Sequence, residues 1–240
     1  MNQTCFRTRP DPVGHIEAAS APPDDGRRSH PSVRPFMTIV AVASFVTGCG
    51  SGGDEDAWQT VDVGEQGAAD TVYEPDGARL ERGPEGLHVE VVVPTPGPGT
   101  YEYPTGDMIP PWVEDHPAVG PGSLDAPEVF TLWLFAFNDP ASCTAGECDS
   151  DDLGIDAAAR GGVHQIDGRV ADDEMLRFSG NVRLGQEPRT GSPLDDALGA
   201  EVHIAIAPHG RALSGADRVT QLNTPVGNPT LWWPAQFASG

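Results

Sequence analysis

The sequence has 240 residues, the length of one or two domains, and 38% of them are hydrophobic, which is enough for one core. Its 36 acidic residues outnumber its 14 basic ones, and the formal net charge of −22 excludes nucleic acid as a partner, because such a surface repels phosphates. The 29 glycines and 24 prolines indicate that long stretches of the chain are loops or linkers.

Residues 37–48 form the only strongly apolar stretch in the first half of the chain. At about twelve residues the stretch is too short to span a bilayer, but it has the length of the apolar part of a signal peptide. The residues before it are unusually numerous and rich in proline and aspartate, so we expect the true start near residues 33–37, in a signal region that ends at residue 48. Three arginines supply the positive charge of an export signal: Arg27, Arg28 and Arg34.

The apolar stretch leads into Val46-Thr47-Gly48-Cys49, which resembles the lipobox of bacterial lipoproteins. The resemblance implies cleavage before Cys49 and acylation of this residue with diacylglycerol and palmitate-type chains. Two or three acyl chains, at about 0.8 kcal/mol per buried CH₂, anchor a protein stably to a bilayer. The resemblance therefore implies a lipoprotein on the cell membrane or the outer membrane, with its domain outside the cytoplasm.

Residues 50–84 are polar, acidic and without hydrophobic periodicity. Such a composition does not bury enough apolar surface to order itself. We therefore expect the lipidated cysteine and a flexible, disordered acidic tether over 49–84, which lifts a single domain at 85–240 away from the membrane.

Runs of β-branched and aromatic residues after Gly86 predict strands. Val129–Phe137 is almost continuously apolar, as expected of a central strand that is covered on both faces. Pro94–Pro121 holds eight prolines and must be irregular. Ala212–Leu222 alone has a helical pattern. The other predicted strands are Leu87–Val93, Gly162–Val170, Met175–Leu184, Glu201–Pro208 and Leu231–Phe237, the last confined to an edge or a bulge by Pro234.

Two of these strands alternate cleanly between apolar and polar residues, as in an antiparallel sheet with one covered face. Strands separated by turn signals, with almost no helix, predict an all-β domain. We expect an antiparallel sandwich or a barrel-like fold with long loops rich in proline and glycine. The residues predicted to face inward are Leu176, Phe178, Val182, Leu184, Val202, Ile204 and Ile206.

Cys143 and Cys148 are the two cysteines that remain after processing and acylation. A close pair in an exported protein predicts a disulfide, which here closes a loop after the apolar strand. A pair of thiolates that bind a metal is the alternative.

Carboxylates crowd this loop, and Asp149, Asp151 and Asp152 are candidate ligands for calcium, which prefers oxygen. The spacing is not that of an EF-hand, since Leu153 and Arg160 occupy two of its ligand positions. A solvated loop without an ion is the alternative interpretation.

His203 and His209 lie six residues apart, so an unbroken strand would place both on its polar face with Glu201. With His164 they form a candidate ligand set for zinc or another transition metal. Against this, Pro208 and Gly210 are expected to end the strand. Ordinary hydrogen-bonding histidines are the alternative.

Residues 199–215 (GAEVHIAIAPHGRALSG) resemble the histidine-containing segment of CHRD, or chordin-type, β domains, although the spacing between the two histidines is longer here. Such domains also occur in secreted bacterial proteins and have no well-defined catalytic role. The resemblance implies an extracytoplasmic β module.

The motifs of common enzymes are missing: we find no G-x-S-x-G, no H-E-x-x-H, no P-loop and no Rossmann glycine fingerprint. The sequence therefore predicts a lipid-anchored, acidic binding or structural module of the cell envelope. Its partners are the bilayer, through acylated Cys49, and an envelope protein or ligand that the sequence does not identify. The alternatives are a binding protein that depends on calcium or zinc, and an envelope hydrolase of unrecognised type.

Overall fold

The computed structural model describes residues 58–97, 99–102, 127–144, 146–223 and 231–240. The predicted signal region, the lipobox, Cys49 and the expected start lie outside these residues, as does most of the proline-rich segment. None of the helices within the described ranges is long and apolar enough to cross a membrane.

Nine strands in the described part of the chain form two antiparallel sheets. The first sheet has the order β1-β2-β3-β6, and the second has the order β7-β5-β4-β8-β9. The prediction of an all-β sandwich is confirmed. The strands are β1 (Gln59–Glu65), β2 (Ala68–Gly83), β3 (Gly86–Pro94), β4 (Glu128–Phe137), β5 (Gly161–Val170), β6 (Met175–Arg183), β7 (Thr190–Gly191), β8 (Glu201–Arg211) and β9 (Trp233–Phe237).

The core lies between the two sheets and is built mainly from alternate side chains of β2, β3, β4, β6, β8 and β9. Strand β4 is central in its sheet, between β5 and β8, as its continuous apolar run predicts. Burial of each large apolar side chain stabilises the fold by about 1.5–3 kcal/mol. The buried residues of this core include Leu80, Val89, Val91, Phe130, Leu132, Leu134, Leu176, Phe178, Val182, Val202, Ile204, Ile206, Trp233 and Phe237.

The prediction of a flexible tether over 49–84 is wrong for residues 59–83, which form β1 and β2 of the first sheet. Val63, Ala78 and Leu80 are 0% exposed and belong to the core. A strand that is covered on one face needs an apolar residue only at every second position. The charged residues on the other face give these strands the composition of a linker.

Strand β8 continues past Pro208 to Arg211, contrary to the expectation that it ends there. Glu128 pairs with Arg211 and Phe130 pairs with Pro208, so one residue of β4 lies opposite two residues of β8. This irregularity is a β-bulge, and Gly210 adopts a φ of +80° within it, a conformation that glycine adopts without a steric cost. The bulge changes the direction of the side chains that follow.

A nine-residue helix, α1 (Gly215–Asn223), follows β8 close to its predicted position. The buried side chain of Gln221 attaches α1 to the bulge, because its Nε2 donates to the carbonyl oxygens of His209 (3.0 Å) and Arg211 (2.8 Å). Of the two predicted positions for the last strand, an edge or a bulge, the structure shows the edge, since β9 is the outermost strand of its sheet. Leu184, predicted to face inward, is 42% exposed because β6 ends at Arg183.

Candidate functional site

Cys143 and Cys148 form the predicted disulfide, with their Cα atoms 5.0 Å apart. The bond closes part of the segment between β4 and β5, which we call the disulfide loop (139–160). The cystine packs with Phe137 and Ala159 in a small apolar cluster on the outer side of the second sheet. The disulfide thereby fixes this loop against the sheet.

The three aspartates that were candidate calcium ligands shape the disulfide loop through hydrogen bonds. Asp152 is buried and accepts from the Thr144 backbone N–H (3.0 Å), the Thr144 hydroxyl (2.8 Å) and the Asp149 backbone N–H (3.1 Å). Burial alone would raise the pKa of Asp152, but these hydrogen bonds outweigh it and hold the pKa below its usual range. Asp149 in turn accepts from the Asp151 backbone N–H at 2.7 Å, which caps a short 3-10 helix.

His203 lies on the outer face of the second sheet and donates from Nε2 to Glu201 Oε1 at 2.7 Å. The same oxygen accepts from the Cys148 backbone N–H (3.3 Å) and from Gln236 Nε2 (3.2 Å). Burial acts to raise the pKa of Glu201, but the contact with His203 and the other hydrogen bonds lower it below its usual range. The pair therefore links β8 to the disulfide loop and to β9.

His209 lies in the bulge and is almost completely buried. Its Nε2 is 2.7 Å from the hydroxyl of Thr131, which also accepts from Trp133 Nε1 at 2.8 Å. Burial lowers the pKa of His209 to about 3, so this imidazole is neutral at physiological pH. His209 is therefore a buried hydrogen-bonding residue.

His164 lies on β5 opposite Leu134, a residue of the core between the sheets. Its side chain is 2% exposed, and within the described ranges neither ring nitrogen has a hydrogen-bond partner. Burial lowers the pKa of His164 to about 4, which keeps the ring neutral.

The structure does not bring the predicted metal ligands together. Among the described residues, no group of three or more His, Cys, Asp or Glu side chains is placed to hold a metal ion. His209 is buried and bonded to Thr131, His203 is bonded to a carboxylate on the outer face, and His164 faces the core between the sheets. The aspartates of the disulfide loop are bonded to its own backbone.

A groove of about 460 Å³ opens beside His164, at the edge of the second sheet. We call it the Arg189 groove. Three chain segments form it: the middle of β5, residues 186–189 ahead of β7, and the end of α1. Its lining is mostly polar and consists of His164, Gln165, Ile166, Asp167, Gly168, Gln186, Glu187, Pro188, Arg189, Leu222 and Asn223.

Arg189 is fixed over this groove by neutral oxygens. Its Nη2 donates to Gln165 Oε1 (2.8 Å) and to Asn223 Oδ1 (3.1 Å), and its backbone N–H donates to the carbonyl oxygen of Val163 (2.7 Å). Gln165 also donates from Nε2 to the Leu222 carbonyl oxygen, which joins β5 to α1. Among the residues that the structure describes, no carboxylate forms an ion pair with Arg189.

A second cavity, of about 550 Å³, offers a comparison, because it is also lined by an arginine. Arg160 there donates through Nη1 and Nη2 to the two carboxylate oxygens of Asp195, which lines the same cavity. A carboxylate therefore compensates the charge of Arg160, whereas none of the described carboxylates forms an ion pair with Arg189. This difference identifies the Arg189 groove as the better candidate site.

Sequence reasoning missed the Arg189 groove, although it included His164. Gln165, Arg189 and Asn223 are far apart along the chain, and no local motif connects them. Only the pairing of β5 with β7 and the attachment of α1 to β8 bring them together.

The segment 199–215, with its resemblance to CHRD-type domains, forms β8 and the turn into α1. Comparisons of the chain with protein-family models, with curated proteins and with solved structures found no significant match. The CHRD-type resemblance stays a prediction. The function must therefore be inferred from the sequence and from the geometry of the site.

Proposed function

We propose that the protein is an exported lipoprotein, anchored through acylated Cys49, whose β-sandwich binds a small polar ligand at the cell envelope. The observation that carries the binding role is the Arg189 groove, where a guanidinium is held in place by Gln165 and Asn223 without an ion-pair partner among the described residues. A pocket with a few fixed polar groups is the usual form of a small-molecule site.

The lipobox at residues 46–49 supports the anchor, and the disulfide supports export. Disulfides persist in oxidising compartments and are rare in the cytosol. The bond between Cys143 and Cys148 is therefore the chemistry expected of a domain outside the cytoplasm.

A metal-dependent binding role has less support. A calcium ion on the disulfide loop would compete with the hydrogen bonds that Asp152 and Asp149 already accept. A hydrolase also lacks a specific observation in its favour, since Glu201, the partner of His203, is engaged with Cys148 and Gln236.

Palmitate labelling tests the anchor. The full chain is expressed in a bacterial host with radiolabelled palmitate, beside a Cys49→Ser variant and a matched control, Cys5→Ser. We expect wild type and Cys5→Ser to carry label and to fractionate with membranes, and Cys49→Ser to lose both properties. Label retained in Cys49→Ser, or a mature N-terminus at another residue by mass spectrometry, overturns the proposal.

A further inference from the structure

We propose that the Arg189 groove binds a small ligand that carries one carboxylate, with the guanidinium of Arg189 as its partner. This inference rests on the binding role proposed above and names the chemical class of the ligand. The charge of Arg189, the hydrogen bonds that hold it and the polar lining of the groove lead to it independently of the lipid anchor.

The hydrogen bonds of Arg189 leave part of its guanidinium available. Both side-chain bonds, to Gln165 and Asn223, use Nη2. No acceptor for Nη1 or Nε lies among the described residues. Arg189 is exposed, but its two hydrogen bonds restrict its side chain, so it loses less freedom than an unrestrained arginine would when it binds a carboxylate.

The acidic residues of the groove do not neutralise Arg189. Asp167 accepts from Arg169 through Nη2 (2.6 Å) and Nε (2.9 Å), and also from the Gly168 backbone N–H (2.8 Å). Its charge is therefore compensated on its own strand. Glu187 supplies an acceptor for a hydroxyl or ammonium group of the same ligand.

The size and charge of the protein restrict the ligand further. A groove of about 460 Å³ suits one sugar ring or a dipeptide. Gln186 accepts from the Arg183 N–H through Oε1, and its Nε2 can donate to a hydroxyl or carbonyl oxygen of such a ligand. The net charge of −22 acts against polyanions, so a single carboxylate is favoured over a polyphosphate. A sugar acid and the C-terminus of a short peptide are the two sources of this chemistry.

Two matched pairs of probes separate these sources and isolate the carboxylate. Binding to the purified full chain is measured by NMR titration with glucuronate against glucose, and with acetyl-dialanine against its C-terminal amide. We expect the charged member of one pair to bind at least about tenfold more tightly than its neutral counterpart. The pair that shows the difference identifies the source.

Arg189→Gln removes the charge, and Arg160→Gln is the matched control, because Arg160 lines a cavity of similar size but is paired with Asp195. We expect Arg189→Gln to weaken binding of the charged probe at least about tenfold, to the level of the neutral probe. Arg160→Gln should bind like wild type. Unchanged melting temperatures show that both variants are folded.

Equal binding of charged and neutral probes, unchanged affinity in Arg189→Gln, or no binding of any of the four probes overturns the inference. If Cys49 is acylated and these results are obtained, the anchor stands and the carboxylate site fails. If Cys49 is not acylated but carboxylate binding depends on Arg189, the anchor fails and the site stands.

Discussion

Gln66, in the turn between β1 and β2, exchanges two hydrogen bonds with the backbone of Glu102. Its Nε2 donates to the Glu102 carbonyl oxygen at 2.7 Å, and its Oε1 accepts from the Glu102 N–H at 2.8 Å. Its Nε2 also donates to the Leu231 carbonyl oxygen at 2.8 Å. One amide side chain thus joins three segments that are distant in sequence.

Replacing Gln66 should destabilise the domain. Gln66→Ala removes three partly exposed hydrogen bonds, and we expect the free energy of unfolding to fall by about 1–3 kcal/mol. Gln66→Glu keeps an acceptor for the Glu102 N–H but sets a carboxylate against two carbonyl oxygens, so it should be no less harmful. Urea denaturation at neutral pH measures both. A loss smaller than about 0.5 kcal/mol in each variant contradicts the role given to Gln66.

The buried histidines predict a loss of stability in acid. Burial lowers the pKa of His164 from 6.5 to about 4 and that of His209 to about 3, so the unfolded chain binds these protons more readily. The contribution of the two neutral histidines to the free energy of unfolding is fully present above pH 6.5. It should be lost as the pH falls from 6.5 to about 3, by on the order of a few kcal/mol. Urea midpoints measured across this range test the prediction.

His164→Leu separates one of these contributions from the other. The substitution puts an apolar side chain in place of the buried imidazole. The two nitrogens of this ring have no hydrogen-bond partner among the described residues. We expect the variant to gain more stability at pH 4.5 than at pH 7.5, roughly in line with a pKa shift of this size. An identical pH dependence in variant and wild type contradicts the assignment.

Removal of the disulfide should destabilise the fold without abolishing it. The chain-entropy model gives about 2 kcal/mol for so short a ring, and Cys143→Ser/Cys148→Ser should lose roughly that amount. Wild type treated with a reductant should behave like the double variant, and Cys5→Ser should behave like untreated wild type. Guanidinium denaturation provides the measurement. Equal stability of all four samples shows that the bond contributes nothing.

Calcium should not affect the melting temperature. Asp152 is buried, and its oxygens accept hydrogen bonds from Thr144 and Asp149, so an ion would compete with these bonds. We expect calorimetric midpoints to agree with and without EDTA, and Asp152→Asn to lower the midpoint by destabilising the loop. A midpoint that EDTA lowers, and that added calcium restores, contradicts this.

The sequence predicts those strands best whose hydrophobic pattern is long and regular. The continuous run in β4 and the alternation in β6 and β8 identify both the strands and their buried faces. Strands β1 and β2 are harder to predict from the sequence, because each has few apolar positions beside many exposed charges. These residues form strands because they pair with β3 and contact the opposite sheet, and the composition of a segment does not reveal such long-range contacts.

The site is predictable only in part, for a similar reason. His164 is visible as a histidine on a predicted strand, but its direction depends on pairing with β4. The importance of Arg189 follows from the lack of an ion pair with any carboxylate in the described part of the chain, and from two amides supplied by β5 and α1. Such a relationship is a property of the folded chain.

The early start of β1 limits the distance between the domain and the proposed anchor at Cys49. Only residues 50–58 separate Cys49 from Gln59, and a fully extended chain of this length reaches about 35 Å. A tether extending to residue 84 would have allowed a distance of more than about 100 Å between the anchor and the domain. Anchored at Cys49, the sandwich would stay in a thin layer next to the lipid headgroups. It would therefore bind molecules that are released at this layer or confined to it.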